Sequence, residues 1–259
     1  MKRISPHAQI GRNVAIDDFT IVGDNVILGD DTVIDSHCHI GCHSKAAEGR
    51  PLVIGPGSYV RSHSILYEGS TFGAGLSTGH GVLIREKTQA GVDLQVGSQS
   101  DIEGECVIGD YVKIHSDVHV AQHSRIGNFV FLHPRVQFTN DPFPPSFITA
   151  GITIKDMAVV CTGSLLLPGL TIGLGCFVAA GSVVKADVPD VHCVAGNPAA
   201  VFCRLDQFFH PEHGLYHPWA LRFRAKYPPA SEPLMQQIIA EIDRLLAAHK
   251  KTARPTPAL

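Results

Sequence analysis

Histidine, amide and carboxylate side chains recur at intervals of eighteen residues in the middle of this 259-residue sequence. Gln122 precedes Asn140 by eighteen positions, and His123 precedes Asp141 by the same number. Imidazole and carboxylate groups can accept a proton from an attacking group, and amides can hold a polar substrate by hydrogen bonds. The pattern therefore favours recognition of a sugar or an amine with general-base assistance. The spaced set comprises Asp101, His115, His119, Gln122, His123, His133, Gln137, Asn140 and Asp141.

These residues also have a structural interpretation. The sequence contains fifteen His, and an outward His is more often a hydrogen-bonded surface residue than a base. The tripeptide Asn140-Asp141-Pro142 is a sequence that commonly starts a turn. Because the polar residues gather in one short region, beside a proline-rich segment, we favour the functional interpretation.

A repeat of six residues explains the interval of eighteen. Branched aliphatic residues dominate every sixth position from Ile10 to Ile40, from Ile54 to Phe138 and from Ile154 to Val184. One short strand and one corner use six residues, so three sides close a triangular coil of eighteen. The 27 hexads predict an all-β solenoid of about nine coils, in which residues eighteen apart share a corner. An ordinary β-sandwich with an accidental pattern is the alternative.

The solenoid is predicted to span residues 4–201, with loops at 45–53 and 140–153 where the register is lost. The second loop contains three Pro and two Phe. We expect it to pack on a neighbouring subunit or to form one wall of a site, the alternative being an ordinary surface loop. Chemistry on a solenoid concentrates where such loops leave the coil.

Residues 202–259 are predicted to form a C-terminal helical tail that caps the solenoid or strengthens subunit contacts. One helical stretch is expected near 218–227 and an amphipathic helix at about 231–249, with Ser231 as its N-cap. The apolar stripe of that helix is Leu234, Ile238, Ile242 and Leu245.

Composition limits the classes of partner. Charged residues make up only 17% of the chain and the net charge is −3, which argues against nucleic acid and anionic membranes. No apolar segment of signal-peptide or membrane length is present, and the seven Cys lie inside the repeats. We therefore expect a cytoplasmic protein with free thiols.

A metal site is a competing hypothesis. The segment 37–43 contains three His and two Cys, but the hexad register turns Cys38 inward and removes one ligand. A zinc hydratase of the carbonic anhydrase kind shares three His across a subunit interface. In such a site one ligand lies two coils, or 36 residues, from another. The residues 36 positions before His119 and His123 are Leu83 and Lys87, so no third His ligand is found and we expect no metal.

Several segments resemble one family in particular. They are Thr78-Gly79-His80-Gly81-Val82-Leu83-Ile84-Arg85-Glu86, Ser100-Asp101-Ile102-Glu103-Gly104, Ile114-His115-Ser116-Asp117-Val118-His119 and Thr139-Asn140-Asp141-Pro142. With the hexads, they resemble the hexapeptide-repeat acyltransferases, above all the N-acetyltransferases of nucleotide-linked (dTDP) 3-amino-deoxysugars. The resemblance implies a left-handed parallel β-helix and a homotrimer with sites between subunits. It also implies acetyl-CoA as co-substrate and a role in lipopolysaccharide biosynthesis.

The same resemblance implies roles for individual residues. His115, Asn140 and Asp141 would form the catalytic group, with His115 or Asp141 as the base. The residues that would bind the nucleotide-sugar are Gln122, His119, His123, His80 and Arg85. The residues that would bind acetyl-CoA are Thr162, Gly163, Ala180, Gly181, Lys185, Asn197, Pro198 and Arg204.

The expected mechanism is direct attack of a sugar amine on the thioester, with backbone N–H groups stabilising the oxyanion. Two alternatives stay open. In O-acetylation of a sugar or small alcohol, His119 or His123 would act as the base. A purely structural solenoid would need neither the loop that leaves the register nor the mixed polar columns.

Overall fold

The computed structural model describes residues 1–210, 214–215 and 224–252. The chain coils into a three-sided solenoid whose faces are β-sheets, called here faces A, B and C in chain order. Asp101 pairs with His119, and Gln95 with Lys113, so one coil takes eighteen residues. The predicted left-handed parallel β-helix is thus confirmed as the architecture.

Within the described residues, the faces are built from short strands. Face A contains Arg3–Ile4, Ile21–Val22, His39–Cys42, Ile65–Tyr67, Leu83–Ile84, Asp101–Ile102, His119–Val120, Gln137–Phe138, Leu165–Leu166 and Val183–Val184. Face B contains Gln9–Ile10, Val26–Leu28, Leu52–Ile54, Thr71–Phe72, Gln89–Ala90, Val107–Ile108, Arg125–Ile126, Thr153–Ile154 and Thr171–Ile172. Face C contains Ala15–Ile16, Val33–Ile34, Tyr59–Val60, Ser77–Thr78, Gln95–Val96, Lys113–Ile114, Phe131–Leu132, Val159–Val160, Phe177–Val178, His192–Gly196 and Ala199–Arg204.

Neighbouring strands are parallel except for the last pair of face C, which forms an antiparallel hairpin. The strands Phe209–His210 and Gly214–Leu215 also pair with each other, in antiparallel orientation. Short 3-10 turns occupy Lys45–Ala47, Leu205–Gln207 and Pro229–Ser231. The helix α1 spans Glu232–Thr252.

The predicted count of nine coils is wrong. Among the described residues face C has eleven strands, so the stack has about eleven levels at its longest side. The hexad count began at Ile10 and omitted Arg3–Ile4, which pairs with Ile21–Val22 on face A. It also ended at Val184 and omitted the terminal hairpin, whose antiparallel strands do not follow a period of six.

Aliphatic side chains at the first hexad position form the core. Ile34, Ile84 and Leu132 are completely buried. Each such residue contributes about 1.5–3 kcal/mol by leaving water. At the corners, small polar side chains form hydrogen bonds with backbone groups of the turn. The Ser124 hydroxyl, for example, donates to the carbonyl of Ala121. The regular core therefore fixes which residues stack along each corner.

The helix α1 packs over the corner between faces B and C. Its buried residues cluster with Tyr111, Phe129 and Met157, which stack along that corner, and with Leu205. The buried stripe of the helix consists of Met235, Ile238, Ile242 and Leu246. The buried residues of α1 therefore pack at the corner between faces B and C and not on face A.

Two details of the predicted tail need correction. Leu234 and Leu245 are only partly buried, so the apolar stripe is displaced by one residue at each of these positions. Ser231, the predicted N-cap, belongs to the 3-10 turn that leads into α1. The helical stretch expected near 218–227 lies largely outside the described residues. Among those described, no helix is long and apolar enough to cross a bilayer.

Removing part of the Ile242 side chain should loosen the tail. Ile242 is completely buried against the corner, so Ile242→Ala should lower the free energy of unfolding by about 2–5 kcal/mol. Arg244→Ala, an exposed change on the same helix, should alter it by less than about 0.5 kcal/mol. Urea unfolding followed by circular dichroism measures both. Equal effects of the two changes would contradict the packing described here.

Candidate acyl-transfer site

Both predicted loops leave the solenoid at the corner between faces A and B, called here the A/B corner. The first joins His39–Cys42 to Leu52–Ile54, and the second joins Gln137–Phe138 to Thr153–Ile154. Four face-A strands lie between them, which places the loops about 24 Å apart along the axis at about 4.8 Å per strand. Of the polar residues singled out in the sequence, Gln122, His123, Asn140 and Asp141 lie at this corner, and Asp101, His119 and Gln137 lie on the adjoining face A.

His119 points outward from face A and is oriented by Asp101. Its Nδ1 lies 2.8 Å from Oδ2 of Asp101, one coil above. A carboxylate only accepts, so Nδ1 must donate, and the lone pair of Nε2 in the neutral ring is free to accept a proton. The hydrogen bond to Asp101 raises the pKa of His119, and this outweighs the lowering effect of burial.

Asn140 and Gln122 stack at the A/B corner, as the eighteen-residue interval predicts. They meet at a third residue, Glu103. Oε2 of Glu103 accepts from the side-chain amide of Asn140 at 3.1 Å and from the backbone N–H of Gln122 at 3.1 Å. The Asn140 amide is thus held by its nitrogen, which leaves its oxygen to face a ligand.

Asp141 is engaged by its own loop. Its carboxylate accepts from the hydroxyl of Ser146 at 2.6 Å and from the backbone N–H groups of Ser146 and Phe143 at 2.7 and 2.9 Å. These bonds lower the pKa of Asp141, the Ser146 hydroxyl having the largest effect. A carboxylate held in this way is a weak base, so the structure favours a loop-building role for it.

His115 lies at the opposite edge of face A, at the corner between faces C and A, called here the C/A corner. Its Nδ1 accepts the backbone N–H of Ser116 at 2.8 Å. In the neutral ring the proton must then be on Nε2, which leaves no free lone pair. The arrangement does not favour His115 as the base.

The remaining predicted substrate-binding residues separate into two places. At the A/B corner, His123 pairs with Glu105 at 3.0 Å, and Arg85 pairs with the buried Glu86 at 2.9 Å. His80 lies instead at the C/A corner, where its Nδ1 is 2.9 Å from the hydroxyl of Ser62. His80 is therefore not part of the group around Asn140 within one chain.

Six of the predicted cofactor residues stack together at the C/A corner, all of them exposed. The N–H of Gly181 donates to the carbonyl of Thr162 at 2.9 Å, which joins two successive coils. Gly163 and Gly181 have φ of 70° and 69°, and nothing lies within 4 Å of the position that a Cβ would occupy. The stacked residues are Thr162, Gly163, Ala180, Gly181, Asn197 and Pro198. This open edge lets a ligand approach the backbone.

Lys185 and Arg204, the two cations among the predicted acetyl-CoA residues, lie elsewhere. Lys185 directly follows Val183–Val184 and is exposed at the A/B corner. Arg204 pairs with His192 at the far end of the terminal hairpin, and its Nη2 and Nε donate to the carboxylate of Asp206 at 2.5 and 3.0 Å. Neither cation joins the C/A group within one chain.

The candidate site is therefore divided between the two edges of face A. His119 and Asn140 lie on the face and at its A/B corner, whereas Gly163 and Gly181 lie at its C/A corner. One side of the triangle measures roughly 15–20 Å, since six extended residues rise about 3.3 Å each. The predicted donor residues and Asn140 therefore lie at opposite edges of face A within one chain.

Cysteine and metal chemistry find little support in the geometry. Burial raises the pKa of Cys161, next to Thr162, to about 11, so this group stays a thiol rather than a nucleophilic thiolate. Cys38 is turned into the core, as the hexad register predicts. Within the part of the chain that the structure describes, no three His, Cys, Asp or Glu side chains converge as a metal-binding group.

Sequence reasoning missed Glu103 and the orienting role of Asp101. Asp101 stood in the same column as His119, so the interval of eighteen could have paired them. Glu103 contacts Asn140, which follows it by 37 residues. Two coils take 36 residues, so the two side chains do not stack directly and the interval of eighteen does not pair them. The one signal in the sequence was the small Ala121, which follows Glu103 by eighteen residues.

Asp141→Ala should loosen the second loop. The change removes three hydrogen bonds that tie Phe143 and Ser146 to the start of the loop. Because exposed loops are cut in their open form, limited proteolysis within 141–150 should accelerate about tenfold. Asp117→Ala, which removes an exposed partner of Arg135, serves as the matched control. Unchanged cleavage in Asp141→Ala would contradict the loop-building role.

Comparison with known proteins places these features in context. Residues 7–42 match the bacterial transferase hexapeptide (six repeats) family. Serine acetyltransferase of Bacillus subtilis is 49% identical over 49 residues, which are 19% of this chain and 23% of that protein. The bifunctional protein GlmU of Mycolicibacterium smegmatis is 28% identical over 181 residues, 68% of this chain and 35% of that protein. The chain thus spans well under half the length of these relatives.

Solved structures share the fold over a greater length. UDP-N-acetylglucosamine acyltransferase from Arabidopsis has a TM-score of 0.66 and 19% identity, over 78% of this chain and 72% of that one. At this identity the likeness establishes the fold and leaves the chemistry to the residues.

Proposed function

Since the chain is a hexapeptide-repeat β-helix protein, we propose that it transfers the acetyl group of acetyl-CoA to the amine of a nucleotide-linked, dTDP-type amino-deoxysugar. The observation that carries this proposal is the pair of His119 and Asp101, 2.8 Å apart, beside the amide of Asn140 and the second loop. It combines an oriented base with groups that can bind a polar acceptor.

His119 acts as the general base. Its Nε2 takes a proton from the acceptor amine, and the neutral nitrogen attacks the thioester carbonyl. Asp101 stabilises the imidazolium that forms, because it is already hydrogen-bonded to the other ring nitrogen. His115 and Asp141 are less suited, because the lone pair of one and the carboxylate of the other are already hydrogen-bonded.

Acetyl-CoA binds along the C/A corner. Gly163 and Gly181 leave the backbone open there, and Asn197 and Pro198 continue the same edge one level further. The family resemblance, which implies sites between subunits, agrees with this open edge. Direct transfer is favoured over an acyl-enzyme, since the nearby Cys161 is a neutral thiol.

The complete site is formed between two copies of the chain, in a homotrimer. The A/B corner of one copy, with Asn140, faces the C/A corner of the next, with Gly181, which brings together groups that lie at opposite edges of face A in one prism. The second loop supports this arrangement, since Phe143 and Phe147 are 74% and 109% exposed in the single chain. In the proposed trimer these two rings would be covered by the neighbouring copy. The proposed acetyl-CoA donor favours a cytoplasmic location.

Acetyl transfer is tested by following free thiol release from acetyl-CoA. The acceptors are dTDP- and UDP-linked amino sugars, each beside the same sugar with a hydroxyl in place of the amine. We expect release with a dTDP-linked amino sugar at least tenfold faster than with its hydroxyl partner. Saturation with acetyl-CoA at 100 Kd should also stabilise the fold by about 2.7 kcal/mol. The absence of both effects would remove the proposal.

O-acetylation is the second candidate. The His119–Asp101 pair favours it to some degree, because a hydroxyl needs a base more than an amine does. Faster thiol release with the hydroxyl acceptor would establish this function instead.

A further inference from the structure

Glu103 joins two parts of the acceptor site. Its Oε2 accepts the side-chain amide of Asn140 and the backbone N–H of Gln122. Ala121, completely buried below it, is too short to block the side chain on its way to Asn140. Among the described residues, Oε1 of Glu103 accepts no hydrogen bond. One oxygen is thus fixed by two donors, and the other is left for a ligand.

Two neighbours of Glu103, Arg85 and His119, interact with it electrostatically, but each makes its hydrogen bonds to another carboxylate. Arg85, on the coil above, points its guanidinium at Glu86, with contacts of 2.9 and 3.4 Å. Asp101 lies two residues before Glu103, in the strand Asp101–Ile102, and is paired with His119. A half-buried carboxylate with one free oxygen attracts a cationic donor more strongly than a neutral one.

We infer that Glu103 selects amine acceptors over hydroxyl acceptors by binding the incoming ammonium at Oε1. The inference rests on the proposed function and names the residue that sets its acceptor class. An ammonium group supplies a charge-assisted hydrogen bond to Glu103, whereas a hydroxyl supplies a neutral one. Binding of Asn140 to the same carboxylate keeps the amide oxygen directed at the acceptor.

The transfer then balances in protons and bonds. The ammonium held by Glu103 gives one proton to Nε2 of His119, and the neutral nitrogen forms a bond to the thioester carbon. The C–S bond breaks and the CoA thiolate leaves, while the nitrogen loses its second proton. The products are the amide, free CoA thiol and one proton released to solvent. Glu103 neither gains nor loses a proton in these steps.

The test compares Glu103→Gln with the unaltered protein. Its probes are a dTDP-linked 3-amino-3,6-dideoxyhexose and the dTDP-linked 6-deoxyhexose with a 3-hydroxyl. We expect Glu103→Gln to weaken calorimetric binding of the amino sugar, and to raise its KM, by about 10- to 100-fold, with a smaller change in kcat. Binding of the hydroxyl sugar should change less than about threefold. Glu48→Gln, an exposed carboxylate of the first loop, is the matched control.

The outcomes separate this inference from the function on which it rests. Equal losses for both sugars, or no loss for either, would overturn the role of Glu103 while leaving acetyl transfer intact. If the unaltered protein binds acetyl-CoA but neither sugar, the proposed acceptor fails and the inference fails with it. A melting temperature of Glu103→Gln within a few degrees of the unaltered protein shows that the fold is retained.

Discussion

The change of His119 to asparagine should lower kcat/KM for acetyl transfer by about 10²- to 10⁴-fold, the usual contribution of a positioned general base. The asparagine amide can still donate to Asp101, so the surroundings stay in place, but no group remains to accept the proton. Steady-state thiol release with an amino-sugar acceptor measures the loss. His63→Asn, an exposed histidine stacked on His37 in the early coils, is the matched control.

The same experiment distinguishes the two histidines at the site. His115→Asn should reduce kcat/KM by less than about tenfold, because Nδ1 of His115 already accepts from Ser116. A collapse of activity in His115→Asn, with His119→Asn nearly unaffected, would reverse the assignment of the base.

The pH profile gives an independent check on His119. A base works only when it is neutral, so kcat/KM should fall as the pH drops through the pKa of His119. Asp101 raises that pKa above the ordinary value of about 6.5. Asp101→Asn removes the negative partner, lowers the pKa and should move the acidic limb to lower pH. An acidic limb at the same pH in both proteins would exclude this pair as its source.

The fold was predictable because its signal is long and repetitive. Each inward aliphatic, such as Ile84 or Leu132, reports the same local environment, so chance agreement over many hexads is negligible. The ends were harder to predict for a physical reason. Arg3–Ile4 has a neighbour on one side only, and the hairpin of His192–Gly196 and Ala199–Arg204 replaces parallel stacking with antiparallel pairing.

The candidate site was predictable as a region but not in its chemistry. An interval of eighteen brings Gln122 and Asn140 to one corner, whatever their side chains do. It does not show which ring nitrogens already accept a hydrogen bond. That difference distinguishes His119, whose Nδ1 donates to Asp101, from His115, whose Nδ1 accepts from Ser116. Nor does it reveal a side chain that crosses between columns, as Glu103 does. Hydrogen-bond direction depends on side-chain torsions, which the repeat leaves unspecified.

Gly181→Tyr should weaken acetyl-CoA binding by about 100-fold, which corresponds to about 2.7 kcal/mol. The exposed corner at Gly181 has φ of 69° and open space where a Cβ would stand, so a tyrosine ring would project into the space assigned to the cofactor. This backbone conformation tolerates a tyrosine, since Tyr111 has φ of 60° at an equivalent corner position. The lost affinity would therefore report obstruction of the groove rather than collapse of the coil.

Gly57 offers a closely matched control for this change. It has φ of 66°, is exposed and also has nothing within 4 Å of the place where a Cβ would stand, but it lies at the corner between faces B and C. Gly57→Tyr should carry the same backbone strain and leave the dissociation constant for acetyl-CoA unchanged. Isothermal titration calorimetry measures both constants, and thermal unfolding measures the strain. If both variants bind acetyl-CoA as the unaltered protein does, the donor does not occupy the C/A corner. The proposed division of the site between the two edges of face A would then be wrong.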